Sequence, residues 1–165
     1  FDDRYIHFGK GQMETVLNIA PGTYTLRLLL ADDKHIPHFV YSKPVTVTVT
    51  RKDAAVDPKS LVKPGVAILA PAAGQSLSGP FRIAFHASGL SVGHVSVTEP
   101  GIGHFRLVAE RSGGAAERIA YDNGATETWL APPPGEYRLR LELVRNAAPG
   151  DVMASSEPIG VRVIK

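Results

Sequence analysis

No cysteine occurs among the 165 residues, which excludes disulfide staples and thiolate metal sites but leaves the compartment open. No run of about 18 apolar residues exists, so nothing in the sequence reads as a membrane-spanning helix. An excess of charge is also missing. The 18 Lys and Arg against 16 Asp and Glu give a formal net charge of +2, and the cations are scattered singly, so no basic stripe for nucleic acid can be assembled. Helical spacing of apolar residues fits nowhere over a useful length. The chain opens at Phe1 with no basic-then-apolar leader, which reads as a processed mature form or a fragment.

What is present is ordinary for a folded chain: 44% hydrophobic and 21% charged residues, too apolar for disorder. The 16 Gly and 13 Pro punctuate short apolar runs, the spacing of turns in an all-β protein. A repeat then becomes visible. Ile6 to Leu17 lies over Ile119 to Leu130 without a gap, and Pro21-Gly22-Thr23-Tyr24-Thr25-Leu26-Arg27-Leu28 lies over Pro134-Gly135-Glu136-Tyr137-Arg138-Leu139-Arg140-Leu141. After a one-residue slip, Pro44 to Val49 lies over Pro158 to Val163.

The repeated unit reads as strands. Tyr24, Leu26, Leu28 and Leu30 alternate with Thr25 and Arg27, and Val45, Val47 and Val49 alternate with threonines, the period of two expected where one face is buried. Pro-Gly-x-Tyr in each copy resembles the tyrosine corner of Greek-key sandwiches, with the hydroxyl tied to the preceding turn; the competing reading is a Pro-Gly turn followed by an ordinary strand aromatic. Further strands are expected at Val66 to Ala70, Phe81 to His86, His94 to Thr98 and Phe105 to Ala109. The prediction is an all-β, Ig-like antiparallel Greek-key sandwich in tandem repeat. Residues 1–50 would be the C-terminal half of a first repeat, 51–65 a linker, and 66–165 a complete second repeat with Phe81, Ile83, Phe85, Leu130, Tyr137, Leu139, Leu141, Val161 and Val163 directed inward. Half a sandwich exposes a hydrophobic face and open edges. Either about 50 further residues before Phe1, scaled from a typical sandwich, or a protein partner or self-association by strand exchange is therefore expected to cover residues 1–50, over Ile6, Phe8, Leu17, Ile19, Leu26 and Leu28.

Ile6-His7-Phe8-Gly9-Lys10-Gly11-Gln12-Met13-Glu14-Thr15, the following Pro-Gly-x-Tyr strand, and His35-Ile36-Pro37-His38 resemble the signature of a bacterial exported family known as a domain of unknown function. Its pattern runs His-Ile-His-Phe-Gly-Lys-Gly-Gln-Thr-Glu and later His-Ile-Pro-His, after a Gly-His-His-His-Leu strand. Tyr5 stands here in place of the first His. Gly103-His104-Phe105-Arg106-Leu107 keeps one His of the three, Ala120 replaces His7, and Asn146 to Asp151 replaces the His-Ile-Pro-His run, so the second copy is degenerate. The resemblance implies a periplasmic or secreted protein.

His7, His35 and His38 are the candidate metal ligands. Neutral imidazole binds zinc, copper and nickel, and three histidines make a site when a fourth ligand or water is added. Copper or zinc is the only cofactor expectation, and the sequence does not require it. The competing reading makes His35-Ile36-Pro37-His38 a turn bonded to backbone and His7 an edge-strand polar residue. His86, His94 and His104 read as satisfied or solvent-facing histidines. Asp32, Asp33 and Lys34 could orient His35 or close its loop, but they read better as a solvated charge run in a loop. Gly89-Leu90-Ser91-Val92-Gly93 matches the Gly-x-Ser-x-Gly nucleophile elbow but lacks the following helix and the α/β sheet. Phe8-Gly9-Lys10-Gly11-Gln12 lacks the phosphate-loop spacing and reads as a hairpin turn. No catalytic residue is assigned, and the chain reads as non-enzymatic: an exported binding or scaffold module of the bacterial envelope. The alternative is a purely structural tandem sandwich that assembles by strand exchange or lateral packing.

Overall fold

Alternating apolar and polar residues between Gly-Pro turns become short strands throughout the computed structural model, which describes residues 4–32 and 34–165. Phe1, Asp2, Asp3 and Asp33 lie outside the described residues. Among those described there is no α-helix, and no helix long and apolar enough to cross a membrane.

The chain forms two compact units, one of Thr15–Val62 and one that joins residues up to Glu14 with Lys63–Lys165. In the smaller unit, β1 (Gly22–Leu26) pairs antiparallel with β4 (Val45–Val49), and β2 (Leu29–Ala31) pairs with β3 (Pro37–Tyr41) across an irregular register. A 3-10 turn, Pro58–Leu61, is capped by the Asp57 side chain and has proline in its first turn, both of which suit a helical N-terminus.

The larger unit contains β5 (Gly65–Ala70), β6 (Ser76–Ser78), β7 (Phe81–Ser88), β8 (Ser91–Val92), β9 (Ile102–Arg111), β10 (Ala116–Ala120), β11 (Glu127–Leu130), β12 (Gly135–Arg145), β13 (Val152–Ser155) and β14 (Ile159–Ile164). One sheet has the order β10-β9-β12-β14-β6, with β13 on β12 and β8 on β9; the other has the order β11-β7-β5. The chain passes from β7 to β9, returns from β10 to β11 and crosses again to β12, which is the Greek-key path of an Ig-like sandwich. Its first strand is divided: β5 belongs to one sheet, and β6 runs parallel to β14 in the other.

The core lies between the sheets. Ile83, Phe85, Phe105, Leu107, Leu141 and Leu143 are fully buried, and the Phe85 and Phe105 rings pack with centroids 5.4 Å apart. Of the residues predicted inward, Phe81, Ile83, Phe85, Leu139, Leu141, Val161 and Val163 are buried, while Leu130 and Tyr137 are partly covered. Tyr137 stays at the margin because its hydroxyl reaches the Pro133 carbonyl, 2.8 Å away, in the turn before β12.

The compact units are divided differently from the expected segments. Residues 51–62 sit with the smaller unit, where Asn18 Nδ2 donates to the carbonyls of Asp53 at 2.7 Å and Val56 at 3.2 Å. Residues up to Glu14 sit with the larger one. Val92 N–H donates to the Gly11 carbonyl at 2.9 Å, Gln12 bridges Ser91, and Met13 packs on the core. Gly11 has a φ of +74°, and a Cβ there would fall 2.0 Å from the Val92 carbonyl oxygen; only glycine permits both this turn and this approach.

Candidate functional site

The two strand pairs that carry the Pro-Gly-x-Tyr motif share one geometry. In β1 and β4, Gly22 faces Val49, Tyr24 faces Val47 and Leu26 faces Val45; in β12 and β14, Gly135 faces Val163, Tyr137 faces Val161 and Leu139 faces Ile159. Tyr24 Oη donates to the Ala20 carbonyl at 2.9 Å, as Tyr137 Oη does to Pro133. Leu28 N–H donates to Ser42 Oγ at 2.9 Å, and Leu141 N–H to Ser156 Oγ at 3.0 Å. Both serine hydroxyls then donate to the next residue's carbonyl.

The surroundings of these matched strands are opposite. Leu139, Leu141 and Leu143 are 2%, 0% and 0% exposed, whereas Leu26, Leu28 and Leu30 are 37%, 69% and 58% exposed. Val45 is also exposed, at 58%, while Val161 and Val163 are buried. β12 has β9 along one edge and β14 along the other; β1 has β4 on one edge and, among the described residues, no strand on the other. Ile36, Phe39, Val40 and Tyr41 add to the apolar exposure of the smaller unit. Exposed apolar side chains on short strands with an open edge are equipped for strand addition and apolar packing.

The histidines singled out from the sequence fall in both units. His7 is exposed, in the segment that belongs with the larger unit, and its ring folds over Gly9. His35 and His38 are exposed in the smaller unit. The Asp32 carboxylate closes the His35 loop by accepting N–H bonds from Lys34 at 2.9 Å and Ile36 at 2.8 Å. His35 itself takes a φ of 62° there, and His38 lies in β3. Among the described residues no three His, Cys, Asp or Glu side chains gather in a group that could hold a metal ion.

Sequence reasoning passed over two polar constellations. Glu14 accepts hydrogen bonds from the Ser88 hydroxyl and, at 3.2 Å, from Gly89 N–H, with His86 Nε2 at 3.3 Å. The Ser88 bond, helped by His86 and Gly89, holds the Glu14 carboxyl below its usual range against the opposing pull of desolvation. The buried His104 bonds through Nδ1 to Asn146 Oδ1 at 2.8 Å, while Asn146 Nδ2 donates to the carbonyls of His94 and Val97, both at 2.9 Å. Those two acceptors fix the amide orientation, so Nδ1 of His104 carries the proton. His86, His94 and His104 all have hydrogen-bond partners. Ser91 lies in β8 and the chain continues as strand and turn.

A model of the family described as a domain of unknown function (DUF4399) matches residues 1–50 and 83–164. No curated protein matches the chain. The fibronectin(III)-like modules of Clostridium thermocellum CbhA are similar in structure, with a TM-score of 0.39 and 16% sequence identity; the alignment covers 90% of this chain and 65% of that one.

Proposed function

The chain belongs to the DUF4399 family, and from that premise we propose that it is an exported binding or scaffold module of the bacterial envelope, whose recognition surface is the apolar strand face of Thr15–Val62. The carrying observation is the contrast between Leu26, Leu28 and Leu30 and the buried Leu139, Leu141 and Leu143 on matched strands. Covering the exposed parts of Leu26, Leu28, Leu30 and Val45 would contribute about 3–7 kcal/mol at roughly 1.5–3 kcal/mol for each fully buried side chain. That is a sizeable share of a domain's stability. Export is supported by the signature around His7 and His35, and the tandem-repeat reading by the shared register and the paired tyrosine and serine bonds.

The test compares the parent with a Leu28→Lys/Leu30→Lys variant by sedimentation and by fluorescence of an apolar dye. The parent is expected to bind dye or associate at micromolar concentration, and the variant to do neither while keeping its far-ultraviolet circular dichroism. A monomeric parent that binds no dye overturns the reading. Association of the parent with itself alone favours the purely structural assembly.

A further inference from the structure

The larger unit holds two histidine–carboxylate pairs, and they differ in spacing. His86 Nε2 lies 3.3 Å from Glu14, within reach of a hydrogen bond. His104 Nε2 lies 3.7 Å from Asp122 Oδ1, too far for one. Strand register makes this second pair. His104 and Arg106 take the outward positions of β9, next to the buried Phe105, and Ala120 faces Arg106 across the ladder with β10. Tyr121 N–H then donates to the Phe105 carbonyl at 2.8 Å, which carries the ladder one residue beyond β10 and sets Asp122 beside His104. The His104 ring is fixed in tautomer as well as in place. Its side chain is 7% exposed, and with Nδ1–H committed to Asn146 Oδ1 the neutral ring presents a lone pair at Nε2. Nε2 has no hydrogen bond, yet among the described residues only Tyr121 Oη is both enclosed and unpartnered, so solvent reaches Nε2. His94, in the same network, has the other tautomer: its Nδ1 accepts from Ser96 N–H at 3.1 Å, which leaves the proton on its Nε2.

Two acceptors that face each other, one of them an anion, need something electropositive between them, and the spacing says what. A hydrogen bond from imidazolium to carboxylate closes to about 2.7–2.9 Å. A water that donates to both atoms at about 2.8 Å holds them about 4.4 Å apart. A zinc ion about 2.0–2.1 Å from each atom separates them by about 3.4 Å at the tetrahedral angle and by about 3.7 Å at an angle near 125°. We infer that His104 Nε2 and Asp122 Oδ1 are the protein ligands of a divalent zinc-type cation, with water in its remaining positions. The open angle suits zinc and not the right angles of square-planar copper or nickel. Asn146 supplies the carbonyl oxygen that ligating histidines carry on their other ring nitrogen. Its amide also bonds to the His94 and Val97 carbonyls, while Val95 N–H donates to the Asp122 carbonyl at 2.7 Å. The cation therefore ties β9, the turn after β10 and the 94–97 loop together, a cross-link that needs no cysteine. This site uses none of His7, His35 and His38 and does not rest on the apolar face of Thr15–Val62.

Zinc chloride titrated into the full chain at neutral pH tests this, with calorimetry for affinity and nitrogen NMR of the histidine rings for location. The proteins compared are the parent, Asp122→Asn and the double variant His7→Ala/His38→Ala. The Asp122 side chain is 65% exposed and its carboxylate makes no hydrogen bond among the described residues, so the fold survives its replacement. The parent and the double variant are expected to bind zinc with a shift of the His104 Nε2 signal. Asp122→Asn should bind at least about tenfold more weakly, since losing a ligand costs no less than losing a ligand's supporting hydrogen bond. No binding up to about 1 mM zinc, an unmoved His104 Nε2 signal at saturation, or equal affinity in Asp122→Asn overturns the inference. So does a His104 response that vanishes in the double variant, which would transfer the site to the other histidines. A proton found on His104 Nε2 in the metal-free parent also overturns it, in favour of a plain imidazolium–carboxylate pair.

Discussion

Replacing Tyr121 by phenylalanine removes a single oxygen from the larger unit, and the structure predicts that the protein gains by it. Tyr121 is 8% exposed, its ring packs on Phe85 with centroids 5.0 Å apart, and its buried hydroxyl has no hydrogen-bond partner among the described residues. An unpaired buried hydroxyl costs about 1–3 kcal/mol. The void left by one oxygen, on the order of 10 Å³, takes back only a few tenths of a kcal/mol at about 24 cal/mol per Å³. A net gain of roughly 1 kcal/mol follows, which is about 3–6 °C in melting temperature for a domain of this size. The sequence alignment places Phe8 at the matching position, so an aromatic ring without the hydroxyl suits the motif.

The same residue makes a second, independent prediction at high pH. Burial pushes its phenol up from 10.0 to about 12, so the folded state binds this proton more tightly than the unfolded chain does. Its contribution is complete below pH 10 and is lost as pH rises from 10 to 12, with a slope of at most about 1.4 kcal/mol per pH unit. Chemical denaturation of parent and Tyr121→Phe at pH 7, 10 and 11.5 should show the variant ahead at pH 7 and further ahead at pH 11.5. A variant that melts several degrees below the parent at pH 7 would mean that the hydroxyl has a partner, and the reasoning would fail.

Glu14→Gln should loosen residues 4–14 from the larger unit near neutral pH. Since the Glu14 carboxyl is held below its usual range, the latch in the parent is complete above the ordinary carboxylate range and is lost as pH falls through the depressed value. Limited proteolysis of this segment should show that pH dependence in the parent and little of it in the variant. Asn146→Ala leaves His104 Nδ1–H and the His94 and Val97 carbonyls without their partner, and is expected to cost about 2–3 kcal/mol in urea denaturation; a loss under about 0.5 kcal/mol would show that the network contributes little. The expectation that His7, His35 and His38 hold copper or zinc requires a metal-induced rise in melting temperature that weakens in His7→Ala and His38→Ala. Equal rises in all three proteins would refute it.

The sandwich was legible because its signals are local. Period-two runs such as Tyr24-Thr25-Leu26 and Leu139-Arg140-Leu141 mark strands, and Pro-Gly before the corner tyrosines marks the turns. The Glu14 contacts were not legible: Ser88 and Gly89 lie more than 70 positions away and belong to no motif. Nor does alternation reveal that His104 and Glu142 on the outward positions of β9 and β12 are buried. Arg106 and Arg140 neutralise Glu142, and Asn146 satisfies His104 while bonding to the carbonyls of His94 and Val97. Burial of such residues depends on partners that only the fold brings together. The histidines illustrate the same limit, because spacing along the chain does not say that His7 belongs with a different compact unit from His35 and His38.

The divided first strand has a mechanical consequence. β6 and β14 run parallel, with Ser76 beside Arg162, Leu77 beside Val163 and Ser78 beside Ile164. Gly74 N–H donates to the Gly160 carbonyl at 2.7 Å, and Arg162 N–H to Gln75 at 3.0 Å. A pull that reaches β6 from its N-terminal side and β14 from its C-terminal side slides the two strands along each other, so these hydrogen bonds carry the load together and do not unzip one at a time. Tension applied between Lys63 and Lys165 loads β5 on β7 first, and once it reaches β6 it meets the parallel β6–β14 pair in shear, the stiff direction of the sandwich.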